Sequence, residues 1–486
     1  MSQLDTQDVE PAAGLAAGLA AELAAELSAG AGRVVGRLRS TFASGRTRPV
    51  EWRLEQLEGL GRMLVEGEDE LVAALREDLG KPALEAWSAD LRATGREIDS
   101  LRRHLRGWTK PERAKVPWLF LPAKASVVRE PLGAVLVIAP WNYPVHLLVT
   151  PLAAALAAGN TVCCKPSEVT PATSAALARL LPRYVEPDAV MVVEGGVGET
   201  TALLEQRWDH IFYTGNGTVG RIVAEAAAKQ LTPVTLELGG KTPVVVDKDA
   251  HLPLAASRVA FAKWANAGQT CIAADHLYVH RDVEDKFLSL LQDEIRKRYG
   301  AEPRKSDDYG RIVNTGHAQR LKNMLDQGGY ELVCGGEVDV ESRYVAPTIV
   351  RDVSPDAGVM GEEIFGPVLP VLTFDDIAEP IAEVNLGDKA LALYLFTGSD
   401  DTAQRVIAET SSGGVCVNDA MAHIVVPGLP FGGVGESGYG AYHGRWGFET
   451  FSHAKAVLRR PHRYLDPPAL RPPYRPWKLR LLRKIF

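Results

Sequence analysis

At 486 residues the chain is too long for a single hydrophobic core, so two or more substantial lobes are expected. Its 46% hydrophobic and 24% charged residues are the balance of a globular protein, and a net charge of −7 argues against general nucleic-acid binding, which needs a basic surface. Five cysteines at irregular spacing suit free thiols in a reducing compartment, and the lack of HExxH, paired CxxC or a tight His/Asp cluster argues against a metal site.

The opening MSQLDTQDVE is acidic and unlike a secretory leader, so a cytoplasmic location is expected. The Ala-rich run that follows is broken by Glu22 and Glu26, short of the ~20 residues a membrane span needs. Residues 1–33 therefore read as an N-terminal extension, a frayed or poorly packed helix. Helical patterns continue over roughly 34–108. Short β-branched runs then alternate with Ala/Leu-rich stretches: GAVLVIAP, PVHLLVTPLAAALAAG, TVCCKP, TPATSAALARLLPRYV, AVMVVEGG, HIFYTG and TVGRIVAEAAAKQ. Apolar strands spaced by helices predict a parallel sheet covered on both faces, the doubly wound α/β architecture. A second series, running from DHLYVH through YELVCGG, VLPVLTF and LALYLFTG to GGVCVN, predicts a second α/β lobe. The join is placed near residue 240, at TPVTLELGGKTPVVVD.

TGNGTVG carries Gly215-x-Gly217-x-x-Gly220 between the strand HIFY and a helical run. That is the setting of a dinucleotide loop, where glycines admit a pyrophosphate to the backbone and the helix N-terminus favours its charge. The same pattern expects an acidic residue about 20 positions on. Glu237 follows Gly215 at 22 residues, so spacing alone gives it to a ribose. KPSE offers a rival, with Lys165 and Glu168 at the end of the strand TVCC. A further possibility involves NAGQTCIAAD, where Cys271 sits in a polar, small-residue loop. Cys271 and Glu237 flank the seam between lobes, where substrate clefts collect. A thiol near a water-activating carboxylate suits covalent thioester chemistry.

In order along the chain, PWNYP (140–144), KPSE (165–168), TLELGGK (235–241), GQTC (268–271), EEIFGPVLP (362–370), LPFGGVGESGYGAYHG (429–444) and FETFSH (448–453) resemble the aldehyde dehydrogenase superfamily. The likeness is to the class 3 branch that oxidises fatty and aromatic aldehydes. It spans about residues 34–460 and implies two Rossmann-like lobes with a small oligomerisation element. Residues 34–240 would bind NAD or NADP, with 116–133 contributing an oligomerisation hairpin; 241–425 would be catalytic, and 426–460 would return to the cofactor and oligomerisation region. By this resemblance Cys271 is the nucleophile, Glu237 the general base rather than a ribose ligand, and Asn142 a donor to the oxyanion. Cofactor contacts fall on Trp141, Lys165, Glu168, Gly215, Asn216, Gly217, Thr218, Val219, Gly220, Leu238, Glu363 and Phe365. The Asn216-Gly217 pair stands where the family usually has Ser-Thr or similar, which leaves NAD or NADP preference open.

Proximity in sequence to Asn142 and Cys271 makes Tyr143, His146 and Trp264 candidate pocket residues. A homodimer is implied, with contact at KASVVREPLG (124–133) and after FETFSH. An acylating relative that passes the acyl group to coenzyme A would not need Glu237. A non-catalytic structural protein on the same fold would be expected to lose Cys271 or Glu237, and both are present. From Pro461 to Phe486 the chain is Pro-rich and basic, and LDPPALRPPYRPW is expected to be extended. WKLRLLRKIF reads as a short basic amphipathic segment able to make a weak peripheral membrane contact.

Overall fold

The structure is a computed structural model and describes residues 9–462 and 472–485. A helix from Val9 to Ala43 runs straight through residue 33. By Leu27 it already packs on the first sheet, and Ala31, Val35 and Leu38 are buried there. Five further helical segments follow in the opening region, up to Trp108, one of them a π-helix turn over Ala86–Arg92.

The first sheet has six strands, in spatial order 438–439, 234–237, 210–214, 134–138, 161–165 and 190–192. All neighbours are parallel except the two-residue edge Gly438–Tyr439. AVLVI, TVCCK and HIFYT are buried along their whole length, because helices cover both faces and leave no place for the polar half of an alternating pattern. One covering helix, Pro144–Ala158, begins with proline at its first turn and is buried on every side; Gly159, at φ +96°, ends it.

The second sheet has seven strands, in order 331–334, 348–351, 368–374, 276–280, 243–246, 392–396 and 414–417. Six are mutually parallel. YELVCGG departs from the expected βα series: its strand Glu331–Cys334 is an antiparallel edge. The chain crosses from one sheet to the other between Glu237 and Pro243, close to residue 240. A three-stranded antiparallel sheet stands apart, in which Lys124–Pro131 pairs with Glu112–Ala114 on one side and Ser452–Arg459 on the other.

In the first sheet, the candidate residues follow the carboxyl ends of parallel strands. Trp141 and Asn142 come after 134–138, Lys165 and Glu168 end or follow 161–165, Gly215–Gly220 follow 210–214, and Glu237 ends 234–237. That edge is where open α/β sheets bind ligands. Cys271 and Glu363 precede strands 276–280 and 368–374, so they lie at the opposite, amino-terminal edge of the second sheet. The two edges face each other, and the candidate site forms between them.

Of the Pro-rich tract, residues 465–471 lie outside the described residues; the chain becomes helical at Pro476 and remains so to Ile485. Among the described residues, no helix is long and apolar enough to cross a membrane, and no group of three or more His, Cys, Asp or Glu could hold a metal.

Candidate active site

Cys271 is presented by a loop whose shape is fixed from several directions. The helix Leu252–Trp264 ends, and Asn266 and Ala267 take left-handed φ values of +50° and +51°, which cost energy for residues other than glycine. Hydrogen bonds hold this conformation. Asn266 Nδ2 donates to Asn142 O at 3.0 Å and to Gln269 O at 3.2 Å. The Gln269 side chain, fully buried, donates to Asn266 O and Arg311 O and accepts the Val313 N–H. Cys271 itself is half-buried in the wall of a cavity of about 740 Å³.

Asn142 faces this loop and is 2% exposed. Its Nδ2 donates to Gln269 O at 3.0 Å, which leaves the second amide hydrogen available. Its carbonyl accepts from Lys81 Nζ as well as from Asn266. Next to it, Tyr143 Oη and Thr270 Oγ1 are 2.9 Å apart, and both residues line the cavity.

Three acidic groups converge electrostatically. Burial, then Glu363, then Glu237, push the Cys271 thiol up to about 12. Glu237 is 2% exposed, neither carboxylate oxygen has a partner, and burial raises it well above the usual carboxylate range. Burial, and after it Asp275, raise Glu363 to about 8. Burial is thus the first cause of all three upward shifts. Glu363 lies over Gly239, where a Cβ would come within 2.1 Å of its Oε2, so TLELGG needs glycine at that point. Asp275 behaves oppositely: burial would raise it, but Lys241 at 2.6 Å, His276 and Lys263 hold it well below the usual range.

On the other side of the seam, Asn216 caps the helix Gly217–Ala228 by accepting the Val219 N–H at 3.0 Å. Its Oδ1 is thereby committed, and only its amide N–H groups remain to donate. The N–H groups of Gly217 and Thr218, in the first turn, have no helical acceptor. Gly220 allows the helix to close on the sheet, since a Cβ there would sit 2.9 Å from Leu238 Cδ2. Lys165, 2% exposed, donates to Pro166 O and lies 3.5 Å from the half-exposed Glu168 carboxylate. The Trp141 ring meets Phe365 edge-on at 5.3 Å, and Phe365 takes φ +45°. A glycine loop at a helix N-terminus, a buried amine at a strand end and the partnerless buried Thr214 Oγ1 at the end of the strand before the loop suit a dinucleotide such as NAD or NADP.

Of the sequence-based pocket candidates, Tyr143 and His146 line the cavity, whereas Trp264 does not. Trp264 is 1% exposed and its Nε1 donates to Pro367 O at 3.0 Å, because the helix carrying it turns that face into the core. The sequence reading missed Gln269 and Asn266, although GQTC includes the first of them. It also missed Lys81 and Asp90, a fully buried pair 2.8 Å apart beneath Asn142, and the buried pair Glu97–His443 on the cavity wall.

Residues 7–457 match the model of the aldehyde dehydrogenase family. Aldehyde dehydrogenase family 3 member H1 of Arabidopsis thaliana is 47% identical over 458 residues, 94% of each chain. The dimeric NADP-preferring aldehyde dehydrogenase of Rattus norvegicus is 46% identical over 424 residues, covering 87% of this chain and 93% of its own. In three dimensions, the substrate-bound state of Staphylococcus aureus AldH superposes with a TM-score of 0.91 at 40% identity, covering 93% of this chain and 99% of that one. Fold and sequence agree: the chain belongs to the aldehyde dehydrogenase family, and it is an NAD(P)-dependent enzyme that oxidises an aldehyde.

Proposed function

We propose that the enzyme converts an apolar aldehyde to its carboxylate through Cys271, Asn142 and Glu237. The observation that carries this reading is a thiol in the wall of the cavity, with the buried, partnerless Glu237 carboxyl near enough to perturb it. Cys271 Sγ bonds to the aldehyde carbon as its proton passes to solvent water. The free Asn142 amide hydrogen and the Cys271 backbone N–H hold the oxyanion. Lys165, Glu168, the 215–220 loop and Glu363, with Trp141, Leu238 and Phe365, would hold NAD or NADP, which would supply the hydride acceptor. Glu237 then takes a proton from water as the water oxygen bonds to the acyl carbon; the C–S bond breaks and the thiol is restored.

The cavity favours an apolar substrate. Leu147 and Ile272 line it within, while Leu84, Phe261 and Val425 are exposed around it. For straight-chain aldehydes, kcat/KM is expected to climb about threefold to fourfold per added methylene until the cavity is filled, the worth of burying one CH₂. An NADH-absorbance assay over a chain-length series reads this directly, and added coenzyme A should leave the rate unchanged. A preference for short or charged aldehydes would contradict the substrate reading. Acyl-CoA formation in place of carboxylate would favour the acylating alternative.

Assembly as a homodimer is supported by the exposed strand Ser452–Arg459, paired on one side only and so open to a second chain. Beyond it, the helix Pro476–Ile485 exposes Trp477 and Leu481 beside Arg480, Arg483 and Lys484, an arrangement suited to weak contact with anionic lipid. Sedimentation of the full chain and of a version ending at 460 should give dimers for both. Only the full chain should pellet with anionic vesicles, and salt should reverse it. A monomeric full chain, or equal pelleting of both, would contradict these two readings respectively.

A further inference from the structure

Beneath the Asn142–Tyr143 turn lies an ion pair that the mechanism above does not use. Lys81 and Asp90 have no exposed side-chain surface, and Lys81 Nζ is 2.8 Å from Asp90 Oδ2. The same ammonium donates to the Asn142 carbonyl at 3.0 Å and lies 4.1 Å from the centre of the Tyr143 ring. Asp90 reaches this position from the π-helix turn Ala86–Arg92, a widened turn of the kind often found at functional sites. Its second oxygen, Oδ1, accepts the His146 N–H at 3.3 Å, in the first turn of the helix Pro144–Ala158. The turn bearing Asn142 is therefore gripped on both sides, its carbonyl by the cation and the following helix start by the anion.

Stability alone is a weak reason for such a pair. Two well-packed apolar side chains in its place would usually be neutral or stabilising, because the charges lose their hydration. What the pair supplies and an apolar pair cannot is direction: a donor aimed at one carbonyl, and a ring held by its face. We propose that Lys81, backed by Asp90, is a positioning residue that sets the Asn142 amide against the reacting carbonyl and fixes the Tyr143 ring in the cavity wall. The proposal rests on the oxyanion role given to Asn142. It adds that this role depends on a residue 61 positions earlier in the chain, which is fully buried and does not line the cavity.

The test is a double-mutant cycle on kcat in the full-length enzyme, with saturating NAD and an apolar aldehyde. Asn142→Ala should lower kcat by ~10²–10³. Lys81→Met should lower it by about tenfold to a hundredfold, the scale of a misplacement near 1 Å. In the Asn142→Ala background, Lys81→Met should change kcat by less than about twofold, because the group it positions is already gone. Lys81→Met alone leaves Asp90 as a stranded buried carboxylate and can fail to fold. The apolar pair Lys81→Met/Asp90→Leu is therefore measured as well, and should keep cofactor binding and thermal stability while showing the same loss in kcat. A folded apolar-pair variant with wild-type kcat, or losses that multiply in the Asn142→Ala background, would overturn the proposal. Full turnover by Asn142→Ala would instead remove the oxyanion reading, and the proposal with it.

Discussion

Cys271→Ala is expected to lower aldehyde oxidation by on the order of 10⁴-fold or more, the usual loss when a covalent nucleophile is removed. NAD or NADP binding, followed by fluorescence titration, should stay within about twofold, because Cys271 is not among the residues assigned to hold the cofactor and its change should act on chemistry alone. The reasoning rests on the loop. Its backbone is held by Asn266, Gln269 and Asn142, none of which uses the sulfur, so alanine should leave the loop in place. Normal turnover by a folded Cys271→Ala enzyme would refute the assignment. Cys163 and Cys164 are not substitutes: both are fully buried, and burial raises their thiols, Cys163 to about 12.

Glu237→Gln should leave acyl transfer to the enzyme largely intact and slow its hydrolysis by ~10²–10⁴, the contribution typical of a positioned general base. Rapid-mixing assays should then show a burst of NADH equal to the enzyme concentration, followed by a slow steady state. The pH dependence separates Glu237 from a bystander. Burial raises its carboxyl, and Glu237 can act as a base only in its ionised form. Wild-type hydrolysis of the acyl group should therefore rise with pH and level off once Glu237 is ionised. In the variant only hydroxide remains, so the slower rate should climb throughout with no plateau. An unchanged hydrolysis rate with the plateau retained would remove Glu237 from this step.

The resting protonation pattern bears on the first step as well. A thiol pushed up to about 12 is not a standing thiolate at pH 7, and Glu363 at about 8 is mostly protonated there too. Attack on the carbonyl and loss of the thiol proton must therefore be coupled. The rate of the NADH burst should also increase with pH, in step with the thiolate fraction.

What could be read from the sequence was the part whose chemistry is local. The turn TGNGTVG announces itself because glycines and a helix start have short-range causes, and buried parallel strands write themselves as unbroken apolar runs. Cys271 stood out once its small-residue loop was set beside the motifs around it. Glu237 shows where spacing stops being informative: the distance from Gly215 suggested a ribose ligand, yet the strand ends with its carboxyl turned into the same acidic neighbourhood as the thiol. Trp264 failed for a related reason, since seven residues from Cys271 the helix face, not the proximity, decides where a side chain goes. YELVCGG has the composition of a strand, but composition carries no direction, and it pairs antiparallel. Lys81 and Asp90 were beyond reach because their meaning depends on a widened helical turn and on contacts more than fifty residues away.

The most direct measurement is mass spectrometry of Glu237→Gln quenched after one turnover with NAD and a straight-chain aldehyde. An acyl group should appear on the peptide containing Cys271, one per chain, and be absent when NAD is withheld. NADH formed without any such adduct, or an adduct on a different residue, would contradict the account.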